Sequence, residues 1–279
     1  MTAVKLLVLL TWVVAFTGCT HVFYQPDRLM YYPPKKLGFE PRQIDFRSGD
    51  GTKLVAWYFP PVGKVKPKGT IIQFHGNAEN ISSHYTSLVW LTKLGYALFA
   101  FDYRGYGGSE GEPSPEGVYK DGMAALDKAW ELRVGRRFIV FGQSLGGAIA
   151  ARAFDDFGHR GETSLVVLDS TFSSYKRVAR RVLASHWVTW VLSPLAHVLV
   201  SDRFSSEEAL GRLRTRLLVI HDQRDPAVPF ACGEEVFAEA VNASKKEFWK
   251  LSDGRHIEAL APYNLELREK FVSLLETLQ

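Results

Sequence analysis

The stretch RRFIVFGQSLGGAIAARAF, Arg136 to Phe154, decides how the rest of the chain is read. Phe138, Ile139, Val140 and Phe141 form a run of β-branched and aromatic residues with no polar alternation, the pattern of a strand buried on both faces of a parallel sheet. Gly142-Gln143-Ser144-Leu145-Gly146-Gly147 follows at once, and Ala148 to Ala153 are all compatible with a helix. A serine in the spacing G-x-S-x-G between such a strand and such a helix predicts a nucleophile elbow, a strained turn for which only small neighbours at Gly142 and Gly146 leave room. The turn lifts the Ser144 hydroxyl above the sheet, beside a helix N-terminus whose N–H groups favour developing negative charge. An ordinary strand-to-helix turn is the plain alternative, so the partners of Ser144 must decide.

On either side of the elbow, apolar runs alternate with helical patterns. Ile44 to Arg47 and Leu54 to Phe59 read as two strands around Ser48-Gly49-Asp50-Gly51, a hairpin signal that predicts an antiparallel start to the sheet. Thr70 to Phe74, Tyr96 to Phe101, Leu165 to Leu168, Leu217 to Ile220 and Glu247 to Leu251 read as further strands. Helices are predicted after Ile81, with apolar positions at Tyr85, Leu88, Val89, Leu91 and Leu94, then over Val118 to Trp130, around Val236 to Val241, and over Tyr263 to Leu278. The alternation predicts an α/β fold with a mostly parallel, eight-stranded sheet and helices on both faces. Ligands of such a sheet bind at the C-terminal strand ends. Between Phe172 and Gly211 the alternation breaks, and Trp187, Val188, Trp190, Val191, Leu192 and Leu195 suggest a small helical lid kinked at Pro194.

Composition sets outer limits. The chain has 279 residues, 46% of them hydrophobic and 23% charged, enough for one large domain and too apolar for disorder. A net charge of +4 with no groove-binding motif argues against a nucleic-acid partner. The glycine-rich Asp102-Tyr103-Arg104-Gly105-Tyr106-Gly107-Gly108-Ser109 matches neither of the phosphate-cradling patterns.

Ser144 needs a base. Among eight histidines, His256 is the candidate, on a glycine-preceded loop after the last strand, within reach of the elbow. Histidine needs a carboxylate to hold its tautomer, and Asp225, fixed by Pro226 after the penultimate strand, is the first choice, with Asp222 and Asp169 as competitors. The order Ser144, Asp225, His256 differs from that of the two protease types that share this geometry. Two backbone N–H groups are needed for an oxyanion: Leu145 supplies one, and Asn77, or Ala78 as alternate, the other.

Together HGNAEN, DYRGYGGSEG, GQSLGG, HDQRDPAVP and GRH resemble the α/β-hydrolase superfamily, in its serine-hydrolase branch with an HGNA-x-N oxyanion loop. That branch includes membrane-associated acyl-protein thioesterases and lysophospholipase-like enzymes. The resemblance runs from about Phe39 to the C-terminus. It implies the hydrolase fold, the triad Ser144, Asp225 and His256, and neither metal nor organic cofactor. His221-Asp222 stands where His-Gly is more usual, which keeps Asp222 in contention.

At the N-terminus, Leu6 to Phe16 is an apolar run too short to span a bilayer comfortably, with Lys5 as its only preceding charge. Phe16-Thr17-Gly18-Cys19 is similar to the lipobox of bacterial lipoproteins, with phenylalanine in place of the usual aliphatic residue; an uncleaved anchor is the alternative. The division expected is a signal peptide at 1–18, a connector at 19–41, and the hydrolase domain at 42–279 with its lid at about 172–211. Lipidation at Cys19 would leave Cys232 without a disulfide partner. Thr20 after it resembles the outer-membrane sorting signal, which predicts a lipid-anchored protein facing the periplasm.

The expected reaction is hydrolysis of a carboxylic ester or thioester through an acyl-enzyme. The lid tryptophans Trp187 and Trp190 are expected to roof an apolar acyl site, so the partner is a small-molecule or lipid acyl ester. Lys176, Arg177, Arg180 and Arg181 on one helical face either meet anionic headgroups or form a solvated face. A serine peptidase or amidase of the same fold and a catalytically silent lipoprotein scaffold are the alternatives.

Overall fold

A computed structural model of the chain describes residues 23–185, 187 and 189–278. The expected signal peptide, Cys19 and Val188 of the expected lid lie outside these residues. In chain order the main strands are β1 (Arg42–Arg47), β2 (Lys53–Phe59), β3 (Gly69–Phe74), β4 (Tyr96–Phe101), β5 (Arg137–Gln143), β6 (Leu165–Asp169), β7 (Leu217–Asp222) and β8 (Lys246–Leu251). The longer helices are α1 (Pro115–Glu131), α2 (Leu145–Asp156), α3 (Tyr175–Ser185), α4 (Phe230–Glu239) and α5 (Leu265–Glu276).

The strands form one eight-stranded sheet in the order β8-β7-β6-β5-β3-β4-β2-β1. β1 and β2 pair antiparallel, β2 joins β4 antiparallel, and every other pairing is parallel. This is the predicted α/β-hydrolase sheet, antiparallel start included.

β5 lies at the centre of the sheet, and its side chains show how the two faces are filled. Phe138 and Val140 pack into one layer with Ala125 and Leu126 of α1, Ile149 and Phe154 of α2, and Val236 of α4. Ile139 and Phe141 pack into the other with Tyr85, Leu88 and Leu91, and with Phe271 and Leu275 of α5. All four β5 residues are fully buried, and each such side chain contributes about 1.5–3 kcal/mol by leaving water. A strand buried on both sides cannot alternate polar with apolar, which is why the sequence run is continuous.

One predicted helix is not continuous. The segment after β3 has a single α-turn, Ile81–His84, followed by two 3₁₀ stretches, Tyr85–Ser87 and Val89–Leu94. Its hydroxyls account for this: Thr86 donates to Ser83 O, Ser87 to His84 O and Thr92 to Val89 O, at 2.7, 2.9 and 2.7 Å. Side-chain bonds of this kind compete with the helical ladder. The apolar residues still reach the core, because a 3₁₀ path satisfies nearly the same spacing.

Between β6 and β7 lie α3, a 3₁₀ segment Trp190–Leu195 containing Pro194, and the short helix Ala196–Leu199. The basic face of α3 does not all turn to solvent. Arg177 bonds Glu239 at 2.6 Å and Glu207 at 2.8 Å, and Arg181 bonds Glu235 at 2.5 Å. These two cations are therefore engaged within the protein rather than offered to headgroups. Among the described residues no helix is long and apolar enough to cross a membrane.

Candidate active site

Ser144 follows β5 with φ 52° and ψ −124°, a left-handed backbone that residues other than glycine seldom adopt. The turn fits only because its neighbours lack side chains. A Cβ at Gly146 would overlap the carbonyl oxygens of Phe74 and His75, and one at Gly142 would lie 2.6 Å from the Cα of Gly147. The Ser144 N–H donates to Asp169 O at 2.8 Å, and Thr171 Oγ1 donates to Ser144 O at 2.6 Å. Leu145 is the first residue of α2, so its N–H has no acceptor within the helix.

Strain marks the whole neighbourhood. Among the described residues the non-glycine positions with positive φ are Glu79, Ser144, Ser170 and Ile257. Glu79, Ser144 and Ile257 line one cavity, and Ser170 Oγ lies 3.4 Å from the Ile257 N–H. Backbone strain persists only where surrounding structure imposes it, and it concentrates at functional sites.

That cavity, about 430 Å³, is bounded by Ser144, His256, Gly76, Asn77, Ala78 and Glu79 among others. The His256 ring is tied on its far side, Nδ1 to Asp225 Oδ2 at 2.7 Å. Asp225 Oδ1 in turn accepts the N–H groups of Ala227 and Val228 at 2.8 and 2.9 Å. Burial opposes charge on Asp225, but His256 and these two donors outweigh it and hold the carboxyl below its usual range. The Ser144 hydroxyl and the His256 ring share the cavity without a direct hydrogen bond.

The competing carboxylates do other things. Asp222 accepts the N–H of Arg224 at 2.7 Å, and its second oxygen accepts those of Asp253 and Gly254 at 2.6 and 2.9 Å. It ties the turn after β7 to the loop that carries His256. Asp169 is buried behind the elbow, accepts from Ser170 Oγ at 3.1 Å, and is pushed up to about 7 by burial. Neither bonds the His256 ring.

After β3, His75 is fully buried, and burial holds its ring well below the ordinary histidine range and so neutral. Its Nδ1 lies 2.7 Å from Gly76 O, which can only accept, so the proton sits on Nδ1.

Two buried amides escaped the sequence reading. Gln73 Nε2 donates to His84 O at 2.9 Å and to Gln143 Oε1 at 2.8 Å, and Gln143 Nε2 donates to Ile257 O at 3.2 Å. This chain links β3 and the turn at His84 to the end of β5 before Ser144 and to the loop that carries His256. The available signal was a glutamine within the last two residues of each of two largely apolar strands.

A second cavity, about 390 Å³, lies against α3 and the segment that follows it, and Asn77 lines both cavities. Its walls are Phe23, Val178, Ala179, Val182, Leu183, Leu192, Leu195, Ala196, Leu199 and Val200. The expectation for the tryptophans is corrected here: Trp187 is 87% and Trp190 59% exposed, and neither lines the cavity. The inward face of α3 carries Val178, Ala179, Val182 and Leu183, whereas the tryptophans come after the helix has ended. Among the described residues no cluster of three histidines, cysteines or acids could hold a metal ion, and Cys232 is a buried free thiol.

Comparison with known proteins agrees with the fold. Residues 65–210 match the model of a family described as serine aminopeptidase, S33. The YfhR protein of Salmonella typhi is 33% identical over 275 residues, covering 92% of this chain and 88% of that protein. Lysophosphatidylserine lipase ABHD12 of Danio rerio is 28% identical over 70% of this chain and 54% of its own length. The Pyrococcus furiosus esterase Pf2001 superposes with a TM-score of 0.70 at 22% identity, over 92% of this chain and 97% of the esterase, a likeness of fold. With a family model matched over about half its length and a relative of this identity, the chain belongs to the serine aminopeptidase S33 family of α/β hydrolases.

Proposed function

We propose that the protein is a serine hydrolase that cleaves carboxylic esters or thioesters carrying an apolar acyl group. Ser144 is the nucleophile, His256 the general base and then acid, Asp225 its orienting carboxylate, and the N–H groups of Leu145 and of Asn77 or Ala78 receive the oxyanion. The observation that carries the reading is the 2.7 Å bond from His256 to Asp225, with the imidazole and Ser144 on one cavity wall.

In the reaction so assigned, His256 takes the Ser144 proton as Oγ attacks the acyl carbon. The Asp225 carboxylate stabilises the imidazolium without taking the proton itself. The tetrahedral oxyanion collapses, the alcohol or thiol leaves with the proton from His256, and water repeats the sequence on the acyl-enzyme. The aliphatic cavity beside Asn77 supports an apolar acyl chain.

The alternative, a peptidase or amidase, is favoured by one observation: Glu79 and Glu258 line the Ser144 cavity, where a carboxylate could meet a substrate amine. Glu258 is already bonded to Arg255 and Tyr263, so Glu79 alone is left to do so. Parallel assays of p-nitrophenyl butyrate and octanoate against aminoacyl p-nitroanilides separate the readings. Ester turnover lost in Ser144→Ala supports the proposal, and turnover confined to the anilides overturns it in favour of a peptidase.

We also propose lipidation at Cys19 and an outer-membrane location facing the periplasm, on the lipobox-like sequence alone. Metabolic labelling with an alkynyl fatty acid, lost in Cys19→Ala, is the expected result; equal labelling of the variant contradicts it.

A further inference from the structure

The segment 23–32, which the sequence reading treats as part of a connector, runs along the outside of the oxyanion loop. Gln25 and Pro26 pair in parallel with Ala78 and Glu79. The Gln25 N–H donates to Asn77 O at 3.1 Å, and the same carbonyl accepts from Tyr106 Oη at 2.8 Å. Further along, Asn80 Nδ2 donates to Asp27 Oδ1 at 3.0 Å and to Leu29 O at 2.8 Å. The Tyr31 N–H donates to Ser82 Oγ at 3.0 Å, the Tyr32 N–H to Ser82 O at 3.1 Å, and the Gly107 N–H to Asp27 O at 2.8 Å.

These bonds fix directions at the site. A trans peptide points its N–H opposite to its C=O. His75 Nδ1 holds the Gly76 carbonyl, and so sets the Asn77 N–H; Gln25 and Tyr106 hold the Asn77 carbonyl, and so set the Ala78 N–H. Immediately after them Glu79 has φ 62°, a strained conformation lying opposite Pro26 in the ladder. The strap therefore braces the one loop that carries both candidate donors, and its Phe23 also lines the apolar cavity with Asn77.

We propose that residues 23–32, acting with Tyr106, are a positioning element for the oxyanion donors, so that the N-terminal strap is part of what makes the site active. Tyr106, in the glycine-rich loop after β4, is the positioning residue that closes the strap onto Asn77. The inference rests on the assignment of Ser144 as nucleophile and of this loop as the oxyanion site.

The test uses the full chain with Tyr106→Phe, Asp27→Ala and Asp27→Asn. Tyr106→Phe and Asp27→Ala are expected to lower kcat about 10-fold with KM within about twofold, less than the 10²–10³ that follows outright loss of a donor. Affinity for a trifluoromethyl ketone, which mimics the tetrahedral intermediate, falls by the same factor. Asp27→Asn keeps an oxygen acceptor for Asn80 and restores activity. Wild-type kcat and ketone affinity in both Tyr106→Phe and Asp27→Ala overturn the proposal, as does a lowered unfolding midpoint with unchanged kcat. Failure of the underlying assignment reads differently: the wild-type protein itself then shows no fluorophosphonate adduct on Ser144.

Discussion

The Nδ1 of His256 and the Oδ2 of Asp225 stand 2.7 Å apart, although 31 residues separate them in the chain. Asp222, three residues before Asp225, is turned away and holds the N–H groups of Asp253 and Gly254. The two carboxylates thus have separable roles. Asp225→Asn is expected to reduce kcat by about 10³–10⁴ with little change in the unfolding midpoint, since it disturbs the imidazole tautomer and not the fold. Asp222→Asn is expected to lower the midpoint and to cost far less activity. Steady-state kinetics beside thermal unfolding checks both, and a reversed pattern would assign the triad acid to Asp222.

Gly146→Ala is expected to destabilise the protein by about 2–3 kcal/mol or more and to abolish activity. The added methyl has no flexible side chain to push aside, only the carbonyl oxygens of Phe74 and His75. Denaturant unfolding measures the first effect and ester hydrolysis the second. Gly158→Ala, where nothing lies within 4 Å of the added carbon, is the control and should change neither.

Acyl-chain preference should follow the aliphatic cavity, not the tryptophans. Ala179→Phe places a ring within the cavity of about 390 Å³, and the octanoate-to-butyrate ratio of kcat/KM is expected to fall about 10-fold. Trp187→Ala, at an 87% exposed position, should leave that ratio unchanged. An unaltered ratio in Ala179→Phe would place the acyl group elsewhere.

Asp169 provides a pH signature of stability. Burial raises its carboxyl to about 7 in the folded protein, against about 3.9 in an unfolded chain. The folded state keeps a proton that the unfolded state releases, so this group's contribution is fully present below about pH 4 and is lost as pH rises to about 7. Asp169→Asn cannot ionise. Its midpoint relative to wild type is expected to rise between pH 4.5 and 7.5 by at least about 4 °C and then level off. A difference independent of pH would contradict the raised value.

Much of this was legible in the sequence because burial leaves a mark there. Phe138 to Phe141 must be apolar on both faces, and Gly142 and Gly146 must be small, so the elbow shows in one chain. Asp225 and His256 read from the sequence as loop residues after consecutive strands, and the structure brings the two side chains within 2.7 Å of each other. The choice between Asp222 and Asp225 depended on which way each carboxylate turns, which no spacing records. The break in the helix after Ile81 came from the hydroxyls of Thr86, Ser87 and Thr92, whose local bonds leave the apolar spacing untouched. The strap was not legible, because its ladder involves two residues a side and pairs Gln25 with Ala78 across the fold. Trp187 and Trp190 are exposed and do not line the cavity, because aromatic content says nothing about the direction in which a side chain points after a helix ends.

The most direct measurement is reaction of the intact protein with a fluorophosphonate, followed by peptide mapping of the adduct by mass spectrometry. The account predicts one adduct, on Ser144, absent in Ser144→Ala and formed far more slowly in His256→Ala. No adduct on the folded wild-type protein, or an adduct on another residue that survives Ser144→Ala, would contradict it.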